Sequence, residues 1–237
     1  MYEDPRYHAS QYFEEPVEGS PELRIFRRGL ADLAALVPRG RLLDVGSARG
    51  TFLGLARDAG WQAEGVELSR RHVEQARARG LVVHEGDVAS APLPAGAFAA
   101  ITMWDVLEHV NDPHAVLATA RRLLAPGGVL LVFTIDTTSL FNAAGDALFR
   151  MSGGRAVRQL ELLYDHRHNS YFTQAALSRI LRDAGFTAKR WRADRAYLGR
   201  WVSEPAPWYL MAGGYLVDLA STVVGRPYRR TVYCTLA

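Results

Sequence analysis

The sequence predicts an α/β domain: a seven-stranded, mostly parallel sheet with helices on both faces, a helical leader before it and an insertion after the fifth strand. Three observations predict this. Short apolar runs alternate with stretches of helical period, the pattern of strands joined by right-handed crossover helices. The stretch RLLDVGSARGTFL, Arg41 to Leu53, reads as a buried strand, a glycine-bearing turn and the start of a helix. Acids recur at the ends of three successive strands, at Asp44, Glu67 and Asp87.

Taken in order, residues 1–40 form the leader. It carries Tyr2, Tyr7, Tyr12 and Phe13 on a polar, proline-punctuated stretch, then Ser20-Pro21, an N-cap with a first-turn proline. Leu23, Phe26, Leu30, Leu33 and Val37 recur at three and four, so this helix has one apolar face. Pro38 and Gly40 end it, and the leader is expected either to fold over a pocket or, over residues 1 to about 15, to form a partly ordered tail.

Residues 41–135 hold the sheet core. Leu42, Leu43 and Val45 make the first strand; the turn Gly46-Ser47-Ala48-Arg49-Gly50 then enters a helix from Thr51 to Ala59. Backbone N–H groups and a helix N-terminus at the carboxyl end of a sheet form a site for a nucleotide-like ligand. The glycines do not follow G-x-G-x-x-G, and Asp44 would repel a diphosphate while favouring a cation. An NAD-dependent oxidoreductase therefore fits the strand, turn and helix but neither the charge nor the spacing. The second strand, Trp61 to Val66, ends at Glu67, about 20 residues past the turn, where an acid accepts both hydroxyls of a ribose. Ser69 caps a helix to Gly80, and a third strand, Leu81 to His84, leads to Asp87, within reach of an adenine amino group.

Phe98 to Met103 is the fourth strand, followed by Trp104-Asp105-Val106-Leu107-Glu108-His109-Val110, in which LEHV reads as the start of a helix. Asp112-Pro113 opens a helix through Leu124, and Pro126-Gly127-Gly128 turns into a fifth strand, Val129 to Thr134.

Residues 136–172 are longer than an ordinary crossover. Leu140, Phe141, Ala144, Leu148 and Phe149 suit an amphipathic helix that Gly153-Gly154 breaks, and a second helical piece spans Arg155 to Tyr164. Asp165, His166 and His168 follow within four residues; no second cluster is evident, so no metal is expected. Residues 173–237 complete the sheet domain, with a helix capped by Thr173 and stopped by Gly185, a sixth strand from Phe186 to Arg192, an apolar stretch from Trp208 to Val224 and a last strand from Arg229 to Leu236. The apolar stretch, interrupted by Asp218, is too short for a membrane span. Packing on the sheet or burying a partner's surface in a homodimer is expected of it, with a membrane-touching face as the alternative.

Composition narrows the function classes. The 237 residues are 49% hydrophobic and 22% charged, as in a globular domain. The net charge of +3 comes from arginines scattered in pairs rather than from a basic block, so nucleic acid is not an expected partner. The single cysteine, Cys234, excludes an internal disulfide and fits a reducing, cytoplasmic setting; no N-terminal signal or transmembrane segment is read.

The motifs LLDVGSARGTFL, GVELS, EGDVASAPLP, ITMWDVLEHVNDP and LLAPGGVLLV fall in the order of those of class I S-adenosylmethionine-dependent methyltransferases, and the chain resembles that family over Arg41 to Thr134. The resemblance implies a Rossmann-like fold with the last strand antiparallel. It implies that Asp44 and the turn Gly46, Ser47, Ala48 and Gly50 hold the methionine part of S-adenosyl-L-methionine. Glu67 would take the ribose hydroxyls with Leu68 against the adenine, Asp87 and Val88 would read the adenine edge, and Met103 and Trp104 would present a carbonyl and a ring near the methionine. The family usually has glycine where Ala48 stands. HNSYFTQAALSRILRDAGF is similar to a segment of a bacterial small-molecule branch, with His168 at a frequent histidine.

The expected reaction is methylation of a small-molecule acceptor, most readily at oxygen. Aligning acceptor, methyl and sulfur supplies roughly 7–11 kcal/mol, and a base adds about 10²–10⁴-fold for a hydroxyl. His168 is the first candidate for that base and His109 the second, since an imidazole titrates near working pH; His109 alternatively packs or caps. The other class of function is a cofactor-binding regulatory or partner module without transfer chemistry, for which Ala48 and the lack of an evident base speak.

Overall fold

The computed structural model describes residues 18–155, 157, 163–164, 167–195 and 208–237. In chain order the elements are α1 (Pro21–Leu36), β1 (Arg41–Val45), α2 (Thr51–Asp58), β2 (Gln62–Glu67), α3 (Arg70–Ala78), β3 (Val82–Glu85) and β4 (Phe98–Trp104). Then come α4 (Pro113–Leu123), β5 (Leu124–Ile135), α5 (Leu140–Met151), α6 (Gln174–Asp183), β6 (Phe186–Asp194), α7 (Trp208–Val223) and β7 (Arg229–Leu236). The sheet of the described residues has seven strands in the order β3-β2-β1-β4-β5-β7-β6. β1 to β5 are parallel, and β7 runs antiparallel between β5 and β6. The expected Rossmann-like sheet with helices on both faces is the one observed.

Strand alternation divides the core between those faces. Leu42, Leu131 and Phe133 point to one side, where Leu30 and Leu33 of α1 and Phe52 and Ala56 of α2 cover them. Leu43, Leu130 and Val132 point to the other, against Val116, Leu117 and Ala120 of α4 and Leu177 and Leu181 of α6. Each fully buried leucine contributes about 1.5–3 kcal/mol by leaving water. A third cluster joins Val73 and Ala76 of α3 to Leu53, Leu81 and Val83.

Caps place the helix starts as the sequence indicates. Ser20, Ser69, Thr173 and Asp112 each accept a backbone N–H of the turn they open, and Ser139 does the same for α5. Two readings need correction. LEHV does not begin a helix: Leu107 to His109 form a turn that His109 N closes on Val106 O at 3.0 Å, and α4 starts after Asp112. Pro113 explains this, because it keeps the residue before it out of helical geometry and fits the first helical position. The fifth strand also begins earlier than expected, at Leu124, which pairs with Phe98 before Ala125–Gly128 bulge out and pairing resumes at Val129.

Ionic groups bind the antiparallel edge to α1. Asp32 accepts from Arg190 at 2.9 Å, from Arg192 at 2.5 and 2.6 Å and from the Tyr233 hydroxyl at 2.8 Å. Burial pushes its carboxyl up, but Arg192 and Tyr233 more than reverse this and hold it below the ordinary value. Asp194 accepts from Arg28 and from Thr231. α5 and α7 pack together beyond the end of the sheet, and α7 turns Tyr215, Leu216, Leu219 and Val223 outward. No helix of the described residues is long and apolar enough to cross a membrane. The leader's aromatics, most of the second helical piece of the insertion, and Asp165 and His166 lie outside the described residues.

Candidate active site

The turn after β1 is built from left-handed backbone. Gly46, Ala48 and Gly50 have φ of 71°, 46° and 80°, values that cost an L side chain about 1–2 kcal/mol and glycine almost nothing. Ala48, where the family's glycine is expected, carries that cost. Gly46 N and Ser47 N both donate to Val66 O, at 2.8 and 3.1 Å, which fastens the turn to the end of β2. A Cβ on Gly65 would lie 2.7 Å from Ser47 Cβ and from Leu53 Cδ1, so this β2 glycine makes room for the turn. The sequence reading missed Gly65, whose one signal was a glycine inside a strand.

Because β3, β2 and β1 are adjacent and parallel, their acids share one edge of the sheet. Asp44 is buried and accepts from Thr102 Oγ1 at 2.6 Å. Burial pushes its carboxyl up to about 8; the Thr102 hydrogen bond opposes the rise and the Glu67 charge adds to it. Glu67 accepts Ala48 N on one oxygen and Ser69 N on the other, each at 2.8 Å, and a carboxylate oxygen has capacity for more than one hydrogen bond. Asp87 is exposed, with Oδ1 accepting Ala89 N at 2.7 Å, beside buried Val88. Leu68 is 47% exposed, open to a flat apolar ligand face. Met103 is buried at the end of β4.

Trp104 ends β4. Its ring packs among Phe26, Phe52 and Phe133 at centroid distances of 4.9, 5.2 and 5.4 Å, beneath α1. A Cβ on Gly29 would come within 2.7 Å of its Cη2. Side-chain alternation along β4 sends Trp104 to the α1 face, where the indole packs under the leader helix.

Beyond β4 the chain crosses the turn. Asp105, at φ 52°, takes both oxygens to Arg229 Nη1 at 2.6 Å. Val106 lies against Gly46, where an added Cβ would be 2.8 Å from its Cγ2. Glu108 O then accepts Asn169 N and Ser170 N at 2.7 and 3.0 Å, and Asn169 Nδ2 donates to His109 O at 2.7 Å. These bonds join two segments some sixty residues apart and bring His109 and His168 together, with ring centroids 4.7 Å apart. Tyr171 adds an edge contact to His168 at 5.4 Å. His109 Nδ1 lies 3.2 Å from Arg167 O.

Glu108 itself is fully buried. Burial, and then the charge of Asp105, push its carboxyl well above the ordinary range, against the pull of Arg229 and the Thr134 hydroxyl. The sequence reading placed Glu108 in a helix and gave no role to Asp105, Arg229 or Asn169; nothing local in the sequence pairs them. Arranged so, the site can hold a cationic adenosyl compound at the acid-fringed turn and present an imidazole pair to whatever enters beside it.

A family model described as a methyltransferase domain matches residues 21–189. The chain is 31% identical over 156 residues to a ubiquinone biosynthesis O-methyltransferase of Psychrobacter arcticus, covering 62% of this chain and 59% of that protein. It is 31% identical to the corresponding protein of Xanthomonas axonopodis, covering 64% and 65%. The chain thus spans less than two thirds of the length of either relative. A solved structure described as a SAM-dependent methyltransferase from Thermotoga maritima superposes with a TM-score of 0.59 at 22% identity, covering 91% of this chain and 94% of that one, a likeness of fold.

Proposed function

Because the chain belongs to the methyltransferase-domain family, we propose that it transfers a methyl group from S-adenosyl-L-methionine to an oxygen of a small-molecule acceptor. One observation carries the reading: the loop after β4 packs its Val106 on the Gly46 turn and carries His109, against His168, at its far end. Donor and acceptor then meet across a single loop. Asp44, Ser47 and the Gly46–Gly50 backbone hold the methionine end, Glu67 the ribose, and Asp87, Val88 and Leu68 the adenine. The cofactor supplies a methyl group already activated by a sulfonium, so the chain's task is orientation, exclusion of water and passage of the acceptor's proton. The relatives' names support an oxygen acceptor and a small one. A reducing cytoplasm suits Cys234, which is buried and free, and the outward residues of α7 are the surface a second copy would cover.

The test is labelled methyl transfer to an extract of hydroxylated metabolites, paired with calorimetry on S-adenosylmethionine. His168→Ala is expected to lower turnover by about 10²-fold or more with cofactor affinity nearly unchanged. An equal loss of both would make His168 structural, and failure to bind the cofactor would overturn the reading.

Asp44 adds a pH dependence. Its folded value of about 8 lies above its ordinary 3.8, so in the free protein it is mostly protonated at neutral pH, and its ionisation costs stability as pH rises between those values. A bound cation favours the ionised form. Binding at pH 7 should therefore release close to one proton, and affinity should rise with pH until about 8 and then level. Calorimetry in buffers of different ionisation heat measures the proton directly; no release would mean that Asp44 does not face the cation.

A further inference from the structure

We infer that Glu108, His109 and His168 hold a divalent transition-metal ion beside the acceptor. One ligand atom from each lies within 4.8 Å of the other two. A tetrahedral ion with bonds near 2.1 Å needs ligand atoms roughly 3.4 Å apart, which adjustments of about 1 Å in these side chains would reach. Two imidazoles and a carboxylate suit zinc, cobalt, iron or manganese better than the all-oxygen sites of calcium and magnesium.

Three further observations point to a ligand. Glu108 is 0% exposed, and neither of its carboxylate oxygens has a partner in good hydrogen-bond geometry among the described residues, the Thr134 hydroxyl acting on it from outside that geometry, a costly arrangement for a buried carboxyl. His109 Nδ1 faces Arg167 O, the backbone contact that fixes a metal-binding histidine with the lone pair of Nε2 turned outward. The surrounding charge is also receptive. Arg229, whose charge acts on Glu108, is already engaged by both oxygens of Asp105, so an added cation would not lack a carboxylate to meet. The backbone bonds from Asn169 and Ser170 to Glu108 O brace the two segments so that the three side chains converge.

Three protein ligands leave a coordination position open, as in catalytic metal sites. The site stands by itself, but its role rests on the methyl-transfer reading. The ion would lower the cost of deprotonating an acceptor hydroxyl. The hydroxyl proton passes to water, the oxygen–carbon bond forms as the carbon–sulfur bond breaks, and the products are a methyl ether, S-adenosylhomocysteine and one proton.

Titration of the purified, chelator-treated protein with Co²⁺ reads the site by visible absorption, without any turnover. One equivalent is expected to bind with the spectrum of a nitrogen–oxygen site. Glu108→Gln and His168→Ala should each weaken binding at least 10²-fold, while His114→Ala, on the surface of α4, should not. His168→Ala, outside the core, keeps the test open should the buried Glu108→Gln fail to fold. Failure to bind one equivalent, or equal binding by wild type and both ligand variants, overturns the site. Calorimetry with S-adenosylmethionine on the same samples separates the two readings. Cofactor binding without Co²⁺ binding removes only the metal; Co²⁺ binding at these residues without cofactor binding upholds the site and removes the methyl-transfer role.

Discussion

Replacing Glu67 with alanine is expected to weaken S-adenosylmethionine binding by about 10²–10⁴-fold, since each hydrogen bond to a charged group contributes roughly 1.5–3 kcal/mol and two ribose hydroxyls are at stake. The same carboxylate anchors the turn by accepting Ala48 N and Ser69 N, so the alanine variant also loosens the backbone that faces the cofactor. Glu67→Gln keeps two acceptor sites on one oxygen and should recover part of the loss. Calorimetry on folded protein measures both. Affinity within threefold of wild type in Glu67→Ala would show that the ribose lies elsewhere and would separate this carboxylate from the site.

Gly50→Ala is expected to remove much of the fold's stability. The residue caps α2 at φ 80°, and an added Cβ would run into Leu81 Cδ1 and lie 3.2 Å from Ala76 Cβ. A left-handed side chain costs about 1–2 kcal/mol, and overpacking a fitted core roughly 1–3 kcal/mol. At about 2–4 °C per kcal/mol for a chain of this size, the melting temperature should fall by roughly 4–20 °C. Gly80→Ala, also left-handed but with nothing near its Cβ, should show the conformational part alone. Equal losses at the two positions would mean that the contact with α3 and Leu81 is unimportant.

The acid-fringed half of the candidate site was legible in the sequence because its parts are local. Asp44 and the Gly46–Gly50 turn are a few residues apart, and Glu67 and Asp87 each sit where an apolar run gives way to a helix or loop. Strand order follows from the alternation of runs, and even the caps at Ser20, Ser69 and Thr173 are written in place. The histidine half was not legible, because it is made by contacts between distant segments. His109 and His168 stood out as histidines, but nothing in their spacing says that Asn169 and Ser170 bind Glu108 O. Glu108 looked like a helical residue because LEHV has helical composition; the turn closed at Val106 overrides it. The family resemblance named Trp104 at the cofactor, whereas its packing under α1 follows from side-chain parity along β4, which shows only once the strand is placed in the sheet. Gly65 and Gly29 are required by a serine and a tryptophan that come near them only in the folded chain.

β7 comes after every other strand in the chain, yet it sits inside the sheet, between β5 and β6. As the polypeptide emerges from the ribosome, the half built on β1 to β4 can therefore close early, while the opposite half waits. Asp105 meets Arg229, and Asp32 meets Tyr233, only once this last strand has been made and inserted. A nascent chain can thus form the Gly46 turn and its fringe of acids before the loop after β4 is tied to Arg229, so the two halves of the candidate site are completed at different moments of synthesis.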